Sequence, residues 1–91
     1  MALISIKRQP EMQILEDNEV FSWPIWSKGV SRFPWHYETR ETCFFLSGEV
    51  IVTPENGAPV KMGKGDLVSF PAGMTCTWEI IEAVNKHYLF E

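Results

Sequence analysis

Glu41 and Cys43 stand two residues apart in a run of strand character, so their side chains project from one face. Cys76 and Trp78 have the same relation in a second such run. A carboxyl at Glu41, walled in by aromatic rings, would hold its proton more tightly than in water and serve as a general acid or base. The plainer reading pairs Glu41 with Lys86, or with the Tyr37 hydroxyl, and merely closes the interior. Cys76 becomes a nucleophile only where a base or cation lowers its pKa, and Lys86 or a re-aimed His36 are the groups to supply it. Otherwise it is a small buried apolar side chain. A Cys43–Cys76 disulfide is a third use of the two thiols, one that a reducing cytosol disfavours. His36 points outward in a regular strand, and a bulge at Pro34 would turn it toward Glu41 and Cys76. His87 reads as a strand histidine on the outer face.

The elements that must carry these groups are strands. Residues 42–54 are rich in Phe, Val, Ile and Thr and end at Glu55-Asn56-Gly57, where Asn-Gly signals a hairpin. Residues 59–62 return, Gly63-Lys64-Gly65-Asp66 turns again, and 67–70 form a short strand stopped by Pro71-Ala72-Gly73. Residues 75–81 alternate, with Cys76, Trp78 and Ile80 on one face, and 84–90 carry the same character. Asp66 is placed to bond the backbone amides of its own turn. Residues 10–18 fit a short helical turn with Met12 and Leu15 on one side. Short strands separated by Gly and Pro make an all-β sandwich or barrel in a single domain spanning 1–91, with its barrel core at about 22–90 and an N-terminal strand and turn at about 1–21.

Composition agrees and excludes several classes. At 91 residues the chain has room for one core, and 45% hydrophobic and 13% aromatic content is enough to fill it. A net charge of −4 offers no basic face for phosphate backbones, so no nucleic-acid partner is expected. The apolar start is too short for a secretory signal, and no uncharged stretch is long enough to span a membrane as a helix. Two cysteines make no disulfide framework. A cytoplasmic protein without a membrane partner is the expectation. Most of the four tryptophans should be core, while Trp23 and Trp26 lie early enough to cover a homodimer face instead.

Two spaced motifs name the barrel. Glu41 is followed by six residues and Gly48; Gly65 is followed by five residues, Pro71, one residue, Gly73, two residues and Cys76. This resembles the paired motifs of the cupin superfamily, a small jelly roll of antiparallel strands. A narrower likeness, in residues 41–48, 65–78, 86–88 and Trp23-Pro24-Ile25-Trp26, is to the small cupins grouped with (S)-ureidoglycine aminohydrolase. That resemblance implies a metal, held in the family by three histidines and one glutamate. Here Trp35 and Tyr37 stand at the first two histidine positions and Cys76 at the third, so only Glu41 is kept. No metal is expected on that count; if a divalent Mn, Fe, Ni or Zn were bound, Glu41, Cys76 and His36 would have to hold it.

The resulting expectation is a degenerate metal site turned into an aromatic pocket for a small organic ligand. Trp35, Tyr37, Glu41, Cys43, Cys76 and Trp78 would face inward, with Lys86 and Tyr88 at the mouth. Glu41 and Cys76 are the candidate catalytic pair. The alternatives are a cupin enzyme, ureidoglycine aminohydrolase-like or another small-molecule hydrolase or isomerase, using Glu41 with or without a metal, and a structural or partner-binding barrel.

Overall fold

The computed structural model describes residues 3–91; the first two residues of the expected N-terminal strand region, Met1 and Ala2, lie outside them. The order of elements is β1 (Ser5–Arg8), α1 (Met12–Asp17), a 3-10 turn (Val20–Ser22), β2 (Ile25–Lys28), β3 (Ser31–His36), β4 (Glu41–Pro54), β5 (Val60–Gly63), β6 (Asp66–Phe70) and β7 (Thr75–Phe90). All seven strands join one antiparallel sheet in the order β1-β6-β4-β7-β2, with β3 also on β7 and β5 also on β4. This is the all-β architecture that the resemblance implies.

β4 and β7 form its spine. Along β4, Glu41, Cys43 and Phe45 and then Val50 and Val52 are buried, and the residues between them are less so. Along β7 the residues buried toward the interior are Cys76, Trp78, Ile80, Val84 and Lys86, all at even positions, while His87 is buried on the other face. Two runs expected as separate strands, 75–81 and 84–90, are therefore one. The interruption lies instead in β4, where the pairing shifts at three steps between Phe45 and Val50. Gly48 sits there with φ +95°, and a Cβ on it would lie 2.7 Å from Val84 Cα. The missing side chain lets the β7 backbone pass straight over the irregular stretch.

The turns follow the residue chemistry. Gly57 N–H donates to Pro54 O (3.1 Å) at the Asn-Gly hairpin, and Gly65 takes φ +88° at the next turn. Asp66 accepts from Gly63 N–H (2.9 Å) and from Arg8 Nη1 (2.6 Å), which ties β1 to the β5–β6 corner. Pro34 is tolerated within β3 because β3 pairs on one side only, with β7.

Two expectations change around the N-terminal helix and the 3-10 turn. Leu15 of α1 is buried, but Met12 is 57% exposed, because its turn of the helix stands clear of the barrel. His87 does point to the outer face, yet it is buried there. The 3-10 turn covers it: Phe21 packs edge-on at 5.7 Å, and the ring Nδ1–H donates to Trp23 O (2.8 Å).

Candidate functional site

A cavity of about 490 Å³ opens at one end of the barrel. Trp26 and Lys28 of β2 and Phe33 and Trp35 of β3 form one side. Trp78, Lys86 and Tyr88 of β7 form the floor, closed by Tyr37 and Glu41 from the β3–β4 junction. Register explains how β2 and β3 reach β7 together. Trp26 is opposite Lys86, and Phe33 is opposite Trp78, so the two tryptophans and the phenylalanine gather around one strand.

The aromatic packing is dense. Trp26 meets Trp78 edge-on at 6.0 Å, Phe33 lies within 16° of parallel to Trp78 at 6.1 Å, and Trp35 stands edge-on to Phe33 at 6.4 Å. Behind them Tyr37 stacks on Phe70 at 4.8 Å. Edge-to-face and offset pairs of this kind add to the apolar burial and fix ring orientation.

Within this box lies one buried ion pair. Lys86 Nζ donates to Glu41 Oε2 at 3.1 Å, and each side chain is 5% exposed. The ammonium is also held against ring faces, 4.7 Å from the Trp78 centroid and 5.1 Å from that of Trp26. Such cation–π contacts replace part of the hydration lost on burial. Lys86 is thus a floor residue and not the mouth residue expected; its even position on β7 puts it in line with Trp78 and Val84. Trp78 Nε1–H donates to the Tyr37 hydroxyl (3.1 Å), leaving the hydroxyl's own hydrogen for a second partner. Burial first, and then the Glu41 charge, push the Tyr37 pKa above its ordinary value, so the phenol stays a donor.

Of the expected pocket residues, Trp35, Tyr37, Glu41, Trp78, Lys86 and Tyr88 line the cavity. Trp35 does so from the rim, 46% exposed. Cys43 and Cys76 do not; both are free, buried thiols in the core behind it. His36 is exposed and shares a hydrogen bond with Thr75 Oγ1 (2.8 Å), so no bulge at Pro34 carries it to Glu41. Trp26, Lys28, Phe33, Pro34 and Phe90 also line the cavity, and nothing local in the sequence marks them for it.

The cysteines lose their catalytic case on these grounds. Burial pushes the Cys43 thiol up to about 12, with Lys86 lowering and Glu41 raising it to lesser degrees, and pushes Cys76 up to about 11. Both are protonated at neutral pH, the inert and not the nucleophilic form. Native protein at pH 8 should therefore release almost no signal with a thiol-reactive disulfide reagent, and two thiols per chain should appear on denaturation. Fast native reaction would show an exposed thiolate. Because the unfolded thiols ionise near pH 8.5 and the folded ones do not, their contribution to stability is full below that pH and falls as pH rises toward 11–12.

The donor set also does not fit a first-row metal. Among the described residues there is no group of three or more His, Cys, Asp or Glu able to hold an ion. Glu41, the one ligand kept from the motif, already has an ammonium as its partner.

Comparison with known proteins places this geometry. The family model described as the EutQ-like cupin domain matches residues 15–88. A DUF861 family protein from Thermotoga maritima is 45% identical, with a TM-score of 0.95 over 98% of this chain and 100% of that one. A DUF861 family protein of unknown function from Pseudomonas syringae is 24% identical (TM-score 0.67), covering 74% of this chain and 29% of its own. The EutQ protein of Clostridium difficile is 16% identical (TM-score 0.67), covering 96% of this chain and 66% of its own. The last two share the fold. No curated protein matches the chain.

Proposed function

We propose that this chain, which belongs to the family of EutQ-like cupin domains, is a small-molecule-binding barrel in which the Lys86 ammonium takes the place a metal ion has in cupins with the full motif. The observation that carries this is the Glu41–Lys86 pair, 3.1 Å apart at the floor of an aromatic cavity of about 490 Å³. That volume lies in the range of small-ligand sites, and apolar walls with a few convergent polar groups are what such sites share. The pair is the one the plainer, structural reading of Glu41 expects, and it is the cavity opening onto it that favours a bound ligand.

The test is a fragment screen followed by two-dimensional NMR. Hits should shift the indole N–H signals of Trp26 and Trp78 and the side chains of Lys86 and Tyr88, leaving the outer-face rings of Phe21 and Phe44 unmoved. Hits that map only to the outer face, or a screen with none, would remove the reading.

A second reading is favoured by the same contact. A carboxylate and an ammonium joined by one hydrogen bond can pass a proton between them, as a hydrolase or isomerase acting on a small nitrogen compound would need. Ureidoglycine aminohydrolase-like chemistry belongs here, with Glu41 as the acid–base group. It requires that turnover vanish in Glu41→Gln.

A further inference from the structure

The charges lining the cavity set the sign of what it takes. We infer that the ligand is a small monoanion, a carboxylic acid with an apolar aromatic body, its carboxylate bound by Lys86 and Tyr37 and its approach favoured by Lys28. This rests on the ligand-binding reading above and goes beyond it in naming the class.

An aromatic box suggests a cationic guest at first sight, because ring faces attract ammonium groups. In this cavity the faces are already taken. Lys86 Nζ lies against Trp78 and Trp26, and Lys28 Nζ lies 5.2 Å above the Phe33 ring. Two resident ammoniums face one carboxylate, so the lining carries one net positive charge in a protein whose net charge is −4. A cationic guest would be the third positive charge against one carboxylate and would meet repulsion at short range. A monoanion makes the cavity neutral.

The hydrogen-bond inventory points the same way. Lys86 has three N–H donors and Glu41 Oε2 takes one. The Tyr37 hydroxyl accepts from Trp78 Nε1–H and has its own hydrogen to give. Lys86 and the Tyr37 hydroxyl thus each keep a donor for a guest, and a carboxylate with two oxygens answers both, while Glu41 Oε1 is an acceptor from which that carboxylate must stay clear. The rings of Trp26, Phe33 and Trp35 then meet the apolar body.

The experiment compares three probes of one size, benzoate, benzyl alcohol and benzyltrimethylammonium, by tryptophan fluorescence and NMR shifts on the full chain. Benzoate should bind at least about tenfold more tightly than benzyl alcohol, with the ammonium weakest. Lys28 is exposed on its strand, so Lys28→Gln should fold normally and weaken benzoate about threefold more than it weakens benzyl alcohol. Benzoate binding should also weaken with added salt. If benzyl alcohol or the ammonium fills the cavity as tightly as benzoate, the anion inference falls and the ligand-binding reading stands. If none of the three moves the Trp26 and Trp78 indole signals at millimolar concentration, both fall together.

Discussion

Replacing Lys86 with methionine is expected to cost about 3–5 kcal/mol of stability, although methionine has similar length and fits an aromatic surround. The reason lies in what remains. Glu41 and Lys86 are each 5% exposed and hold one another at 3.1 Å. Without the ammonium, the carboxylate stays in a low-dielectric site with its charge unmet. Removing both charges avoids that penalty, so the double variant Glu41→Leu with Lys86→Met should recover most of the loss. Urea unfolding decides it: a lowered midpoint at unchanged slope for the single variant, largely restored in the double. A single variant as stable as the parent would mean that water in the cavity solvates Glu41, and that the pair contributes nothing to holding the barrel.

The second large effect is expected at Gly48. Gly48→Ala should lose about 3–5 kcal/mol, from a left-handed backbone at φ +95° and from overpacking against the β7 main chain. Gly73 separates the two causes. It has φ +84°, but a Cβ there would meet nothing within 4 Å, so Gly73→Ala should lose only about 1–2 kcal/mol. Equal losses in urea unfolding would mean that backbone angle is the whole effect and that the close approach of β4 to β7 is easily relaxed.

Residues like these explain how much of the molecule was legible from its sequence. Gly48, Gly65, Gly73 and the Asn56-Gly57 hairpin announce themselves, because a turn's dihedral demands are local and few residues meet them. The alternation in β4 and β7 is equally local, and it places Glu41, Trp78 and Ile80 correctly indoors. Alternation gives the face but not the depth. It could not tell that Cys43 and Cys76 fall in the packed core behind the cavity, or that Lys86, expected at the mouth, lies buried at its floor. Trp26 and Phe33 depend on something more distant still, the pairing of β2 and β3 with β7 across most of the chain. No short window contains that register. His36 was resolved by the same pairing, which keeps β3 regular past Pro34 and leaves the ring outside.

The unbroken course of β7 has a consequence for how such a barrel can diverge. Trp78, Lys86 and Tyr88 face the cavity because they share one parity along a single strand, and His87 faces the 3-10 turn because it has the other. Substitution can change any of these side chains one at a time. Loss or gain of one residue between Ile80 and Val84 would exchange the two faces downstream, sending Lys86 out under the turn and His87 into the aromatic box. Replacement can therefore alter the chemistry of the pocket one side chain at a time, whereas a change in the length of this one segment would turn its lining inside out.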